Sequence, residues 1–103
     1  MKNFYKKLKN ITLASLKQKK NELWDAEGVL HNQLLKFDLR PLKNNTKGGS
    51  FKTKADKIVV DIKDQFIIVD IEELHQYLKD NNTKVVNLEQ LISSLEWNII
   101  LPK

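Results

Sequence analysis

The clearest hydrophobic pattern in the chain is a run of four apolar residues at positions 66–69, bounded by polar residues on both sides. Three of the four are β-branched, which is typical of a short strand buried on both faces. A second run of the same kind lies at 58–62, and only three residues separate the two. The pattern therefore predicts an antiparallel β-hairpin over 58–70.

A helical pattern follows the second run. Asp70 and Glu73 have the spacing of a capping box, in which each residue satisfies a free backbone N–H of the first turn. Apolar residues at positions i, i+3 and i+4 then begin at Leu74, and Asp80 is followed by two asparagines. These signals predict a helix over about 71–80.

The last twenty residues repeat this alternation. Apolar spacing over 88–95 predicts a second helix, and the apolar run at 97–101 predicts a closing strand. Pro102 ends that strand because proline has no N–H to donate to a neighbouring strand.

The first 39 residues read as helical. Phe4, Leu8 and Ile11 fall on one helical face, and from Leu13 onward the apolar stripe moves to another side, with its members at Leu13, Leu16, Leu23, Leu30 and Leu34. Gly28 lies inside this pattern and is expected to be a cap between two helices. Whether the region forms one, two or three helices stays open. The expected fold is α+β: N-terminal helices followed by a small, mostly antiparallel sheet (hairpin 58–70, strand 97–101) with two helices, at about 71–80 and 88–95.

A chain of 103 residues predicts one domain over 1–103. Within it we expect a basic helical region at 1–39, a flexible basic loop at 40–56 and an α+β core at 57–103. The loop prediction rests on Pro41, which ends the helical pattern, and on a lysine-rich stretch containing Gly48 and Gly49.

Charge is unevenly distributed along the chain. Residues 1–57 hold 14 Lys/Arg against 5 Asp/Glu, a net charge of +9, whereas residues 58–103 have a net charge of −4. A basic front half indicates an anionic partner, and attraction between the two halves of the chain is an equal alternative. Lysine outnumbers arginine 17 to 1, which is typical of proteins from AT-rich genomes. Because base recognition usually depends on arginine, nucleic-acid binding would be directed at phosphates rather than at bases.

These observations favour a small non-enzymatic binding protein that contacts the phosphates of nucleic acid through its basic N-terminal half. A winged-helix arrangement, with the 58–70 hairpin as the wing, is one architecture for this function. The alternative is a protein-interaction or assembly module whose N-terminal helices pack on a partner or on a second copy, an interpretation suggested by Trp24 and Phe37. The candidate nucleic-acid-binding residues are Lys6, Lys9, Lys17, Lys20, Arg40, Lys43, Lys47, Phe51, Lys52 and Lys54.

The candidate chemistry for an enzyme is weak. The chain has no cysteine, and its two histidines, His31 and His75, lack a second ligand at metal spacing. Acidic residues at Asp61, Asp70 and Glu72 would suit a divalent-metal nuclease, but a leucine occupies the position where such a site needs a lysine. We expect no enzymatic activity, no cofactor and no metal.

The apolar runs are also informative about location. None approaches the roughly 18 residues needed to span a membrane, and no secretory signal is present. A cytoplasmic protein without a membrane span is therefore expected.

Overall fold

A computed structural model of the chain describes residues 2–41, 52–62, 64–83, 93 and 99–103. Its centre is a six-stranded mixed sheet in which the strands lie side by side in the order β1-β2-β3-β4-β5-β6. The described elements, in chain order, are α1 (Lys2–Tyr5), β1 (Lys9–Leu13), α2 (Leu16–Glu22), β2 (Ala26–Leu30), β3 (Gln33–Pro41), β4 (Lys57–Ile62), β5 (Gln65–Asp70), α3 (Ile71–Asp80) and β6 (Ile99–Pro102).

The hairpin predicted over 58–70 is confirmed. Strands β4 and β5 pair antiparallel, with Val59 opposite Ile68 and Val60 opposite Ile67. Both strands lie in the interior of the sheet and their central residues are buried on both faces, as expected of near-continuous apolar strands. A hairpin in the middle of a sheet is not a wing, so the winged-helix architecture is wrong.

The helix predicted over about 71–80 is confirmed as α3. It begins where predicted because the Asp70 carboxylate accepts a hydrogen bond from the backbone N–H of Glu73 at 3.1 Å. Asp70 also forms an ion pair of 2.8 Å with Lys57 across the β4–β5 hairpin. Leu74, the buried residue of α3, packs against one face of β4 and β5.

The other face of the sheet is covered by the N-terminus. The Phe4 ring of α1 contacts the rings of Phe37 and Phe66 edge to face, with centroid distances of 5.2 and 5.4 Å. Phe37 belongs to β3 and Phe66 to β5, so α1 bridges the front and back halves of the chain. The two helices therefore bury opposite faces of the same central strands.

The expected N-terminal helices are wrong, and this overturns the predicted fold. Residues 26–41 form an antiparallel hairpin of β2 and β3 joined by the two-residue turn His31-Asn32. Both turn residues have positive φ, 50° and 66°, as in the type I′ turn that suits the twist of a hairpin. The period of β2 is two rather than 3.6: Ala26, Gly28 and Leu30 are buried and their neighbours are half-buried.

The region before this hairpin is also only partly helical. It holds the four-residue α1 and the seven-residue α2, separated by β1, which lies at one edge of the sheet. Phe4 and Leu8 of the predicted stripe are buried, but Ile11 lies on β1 and is exposed. A register irregularity between Lys9 and Thr12, with Asn10 at a φ of 55°, interrupts the chain where helical periodicity would have continued.

One pairing in the sheet is parallel. Strands β3 and β4 run in the same direction, with Leu39 opposite Val59, so the sheet is mixed rather than mostly antiparallel. Parallel neighbours need a connection of about a dozen residues or more, which here is supplied by residues 42–56. The predicted loop over 40–56 begins too early, because Arg40 and Pro41 belong to β3 and pair with Val60 and Asp61. Residues 42–51 of this loop lie outside the described part.

Two C-terminal predictions are tested only in part. The helix predicted over 88–95 falls outside the described residues except for Ser93, which is helical. The closing strand predicted over 97–101 corresponds to β6, described from Ile99 to Pro102, which pairs antiparallel with β5.

We expect Phe4→Ala to lower the free energy of unfolding by about 3–5 kcal/mol, because it removes the ring that contacts both Phe37 and Phe66. Urea unfolding measures this loss. Leu16→Ala is the control: it deletes an apolar side chain that is 87% exposed, so a change within about 0.5 kcal/mol is expected. Equal effects of the two substitutions would contradict the packing of α1 on the sheet.

Gly28→Ala should also destabilise the protein, by about 1–3 kcal/mol. A Cβ atom at position 28 would lie 3.0 Å from Cβ and Cδ1 of Leu8 and 3.3 Å from the carbonyl oxygen of Lys9. Leu8 is buried and has little room to move. Thermal unfolding tests this expectation against Glu27→Ala in the same strand, and an unchanged or higher midpoint for Gly28→Ala would contradict it.

Candidate functional site

Many of the exposed lysines lie on β1, on α2 and on the segments next to them. Residues 1–20 contain seven lysines and no acidic residue. Six of the exposed lysines form no ion pair in the part of the chain that the structure describes. We call these six residues the basic surface: Lys6, Lys9, Lys17, Lys19, Lys20 and Lys54.

Helix α2 carries three of these lysines, and its ends are well defined. Ser15 and Gln18 form a capping box, with hydrogen bonds of 3.1 and 2.9 Å. At the other end Leu23 adopts the left-handed conformation and its N–H donates to the carbonyl of Gln18 at 3.1 Å. Lys19 and Lys20 lie in the last turn, where positive charge interacts favourably with the helix dipole.

Residues 52–56, which we call the strap, return from the connection to the end of α2. The backbone N–H of Lys54 donates to the carbonyl of Glu22 at 2.8 Å, and the Thr53 hydroxyl donates to the carbonyl of Leu23 at 2.9 Å. The N–H of Asp56 donates to the carbonyl of Lys36 on β3 at 2.8 Å. The strap thereby holds the backbone of Lys54 against the end of α2, whose last turn carries Lys19 and Lys20.

The other candidate residues are placed differently. Lys52 is exposed on the strap, whereas Lys43, Lys47 and Phe51 lie outside the described residues. The Arg40 guanidinium is largely buried and pairs with the Asp38 carboxylate at 2.9 Å. The charge of Arg40 is therefore compensated within the molecule, and the basic surface consists of lysines.

Asp38 is the acidic residue that the structure buries most clearly, with 6% of its surface exposed. Burial raises the pKa of Asp38 above its usual range, and the nearby Asp25 carboxylate adds to this effect. Hydrogen bonds and charge attraction from Arg40 oppose it. Burial, with Asp25 as the second cause, also raises the pKa of Tyr5.

The two aromatic residues that suggested a protein partner belong to the interior. Trp24 is buried, its Nε1–H donates to Glu22 at 3.3 Å, and the Lys36 ammonium lies 5.2 Å from its ring centroid. Phe37 is buried beside Phe4. Neither side chain is available to a partner on the described surface.

The acidic residues considered for a metal site do not converge. Asp61 lies opposite Phe66, near the turn of the β4–β5 hairpin, whereas Asp70 lies opposite Lys57 at its other end. Asp61 forms an ion pair with Lys103 and Asp70 with Lys57. Among the described residues, no group of three or more His, Cys, Asp or Glu is arranged to hold a metal ion.

Sequence reasoning missed the exposure of several leucines. Leu30, of the predicted stripe, is buried, but Leu13, Leu16 and Leu34 are exposed by 60%, 87% and 61%. It also left Lys19 out of the candidate set. The sequence does contain a signal that these leucines are exposed. Lys19 and Lys20 lie between Leu16 and Leu23, and a helix that buried both leucines would also place the two lysines against the core.

None of the described helices α1, α2 and α3, which have 4, 7 and 10 residues, is long and apolar enough to cross a membrane. Comparisons of the chain with known protein families, with curated proteins and with solved structures find no match. The side chains themselves therefore have to indicate the function.

We expect Asp38→Asn to remove one component of the pH dependence of stability. Because the pKa of Asp38 is raised on folding, the folded protein binds more protons than the unfolded protein between the unfolded pKa of about 3.9 and the folded pKa. The stability that Asp38 contributes is therefore present at low pH and is lost as pH rises through the folded pKa.

Urea unfolding of both proteins from about pH 4 to about pH 7 tests this sign. The free energy of unfolding of the original protein, minus that of Asp38→Asn, should decrease as pH increases. A difference that stays constant or increases would contradict a raised pKa. The difference between two proteins is needed because the exposed carboxylates titrate in the same interval.

Proposed function

We propose that this chain is a non-enzymatic binding protein that binds the phosphate groups of nucleic acid through the basic surface. The observation that carries the proposal is the set of exposed ammonium groups without an ion-pair partner in the described part of the chain, at Lys6, Lys9, Lys17, Lys19, Lys20 and Lys54. Phosphate oxygens are natural partners for such groups, and their binding releases counterions.

The lysines of the basic surface are spread over several elements. Lys9 lies at the start of β1, and α2, which carries Lys17, Lys19 and Lys20, follows the end of that strand. Ammonium groups on successive elements can contact several phosphates of one nucleic acid.

The described side chains favour binding without base recognition. Arg40, the single arginine, is paired with Asp38, so it is not placed to form the bidentate contacts with guanine that specify sequence. Phe4, Phe37, Phe66 and Trp24 are buried and do not offer stacking surfaces for unpaired bases. We infer sequence-independent binding to double-stranded nucleic acid.

A second candidate function is binding of a protein partner, and the observation that favours it is the exposure of Leu13 and Leu16. Apolar side chains rimmed by polar ones are typical of protein interfaces. Leucines add little to a purely phosphate-directed interaction, so this candidate rests on a different property of the same edge.

We expect Lys20→Ala to weaken binding of a random-sequence DNA duplex and to reduce its salt dependence. The slope of log K against log salt concentration should become less negative by about 0.9 if Lys20 neutralises one phosphate. Fluorescence anisotropy between about 50 and 200 mM salt measures this slope.

Lys79→Ala is the matched control, because Lys79 is also an exposed lysine in the last turn of a helix, on α3. It removes the same charge from the molecule at a distance from the basic surface and should leave the slope nearly unchanged. Equal losses for the two substitutions would mean that net charge, and not this surface, determines binding. No binding at about 50 mM salt would remove the proposal altogether.

A further inference from the structure

Helix α2 has the reverse of the usual amphipathic arrangement. Gln18 and Glu22 are half-buried, and Leu16 is almost fully exposed at the start of the helix. At 100° per residue, Leu16 and Lys20 share the side of the helix opposite to Gln18 and Glu22, and Leu23 follows directly as the C-cap. No residue of α2 is buried, so the helix directs its one leucine, Leu16, away from the sheet.

A further exposed apolar residue lies just before α2. Leu13, at the end of β1, is 60% exposed and lies two positions before the N-cap Ser15. Leu13 and Leu16, together with Leu23 at 39% exposure, form what we call the leucine ledge. Leu34 and Ile100 are also exposed, on β3 and β6, but Leu13, Leu16 and Leu23 are close together in the chain around one helix that carries three lysines.

We propose that the leucine ledge binds an acidic amphipathic segment of another protein. This proposal rests on the second candidate function, binding of a protein partner, and specifies the charge and the apolar character of that partner. Apolar side chains of that segment would pack on Leu13, Leu16 and Leu23, and its carboxylates would pair with the lysines of α2. Charge complementarity selects an acidic partner, because all three cations of α2, at Lys17, Lys19 and Lys20, surround the leucines.

Other occupants fit these observations less well. An interfacial membrane helix needs an uninterrupted apolar stripe, and Lys20 lies between Leu16 and Leu23 on the outward side of α2. A second copy of the chain would bring the same lysines face to face, and like charges repel. Nucleic-acid phosphates would use the lysines but leave the leucines in water.

Addition of a strand to β1 is also disfavoured. β1 is one of the two edge strands of the described sheet, but its register irregularity and the positive φ of Asn10 interrupt the edge that a partner strand would need. Recognition would therefore use side chains of α2 and the end of β1 rather than backbone pairing. This geometry is that of a helix lying on an apolar ledge.

The test uses a synthetic helix-forming peptide with leucine–glutamate heptads, labelled for fluorescence anisotropy, and a second peptide in which serine replaces every leucine. The first peptide should bind the full chain, and the second, of equal charge, should bind at least about tenfold more weakly, because burial of even one leucine accounts for that factor. Leu16→Ser should weaken binding of the first peptide by about tenfold or more.

Leu34→Ser is the matched control, because Leu34 is also exposed but lies on β3, outside the ledge. It should leave binding of the leucine peptide unchanged. Both substitutions replace exposed residues, so thermal unfolding should show folded proteins with midpoints close to that of the original.

Four results would overturn the proposal: equal binding of the two peptides, no binding of either, an unchanged affinity in Leu16→Ser, or a dimer that Leu16→Ser converts to a monomer. Binding to phosphatidylglycerol vesicles that depends on Leu16, without peptide binding, would assign the ledge to membranes instead. DNA binding separates this proposal from the first: Leu16→Ser should leave DNA affinity unchanged, whereas Lys20→Ala should lower it.

Discussion

The pairing of β3 with β4 is the interaction on which the rest of the structure depends. It joins the strands of the front half to those of the back half in a single sheet, and it is the parallel pair. Phe4 reinforces it from one face by contacting Phe37 on β3 and Phe66 on β5. Without this pairing, Phe37 and Val59 would lose their common core, and the lysines of the N-terminus would have no rigid support.

Because the halves are joined in this way, the uneven charge along the sequence becomes an uneven distribution of charge across the sheet. The lysines of α2 and β1 lie at one edge, and the acidic residues of α3 lie on a helix that covers β4 and β5. Two acidic residues of the back half, Asp61 and Asp70, pair with Lys103 and Lys57 rather than with those lysines. Positive charge thus stays at the surface, next to leucines that the sheet does not cover.

The part of the fold that could be predicted from the sequence is the part where local and tertiary preferences agree. The β4 and β5 runs are apolar enough to fix a buried hairpin, and Asp70 fixes the start of α3. The β2–β3 hairpin was missed because two of its inward residues are the small Ala26 and Gly28, which mask the alternation. Its turn, His31-Asn32, also lacks the glycine that usually marks a type I′ turn.

The same error in secondary structure explains what was missed at the site. The exposed lysines could be predicted because lysine is rarely buried whatever the element. The pairing of Arg40 with Asp38, which removes Arg40 from the binding surface, could not be predicted. The two side chains face each other only when positions i and i+2 share one side of a strand. The pattern predicts a buried helical stripe that includes Leu13 and Leu16, and their exposure depends on the short β1–α2 segment that is present in place of the expected helix.

The parallel pairing also has a consequence for the order in which the chain folds. The hairpins β2–β3 and β4–β5 each close through a short turn, whereas every residue of β3 that pairs with β4 meets a partner twenty positions further along. Closing the longer loop loses more chain entropy before any contact compensates for it. We therefore expect the two hairpins to form early and independently, with their lateral association as the slow step.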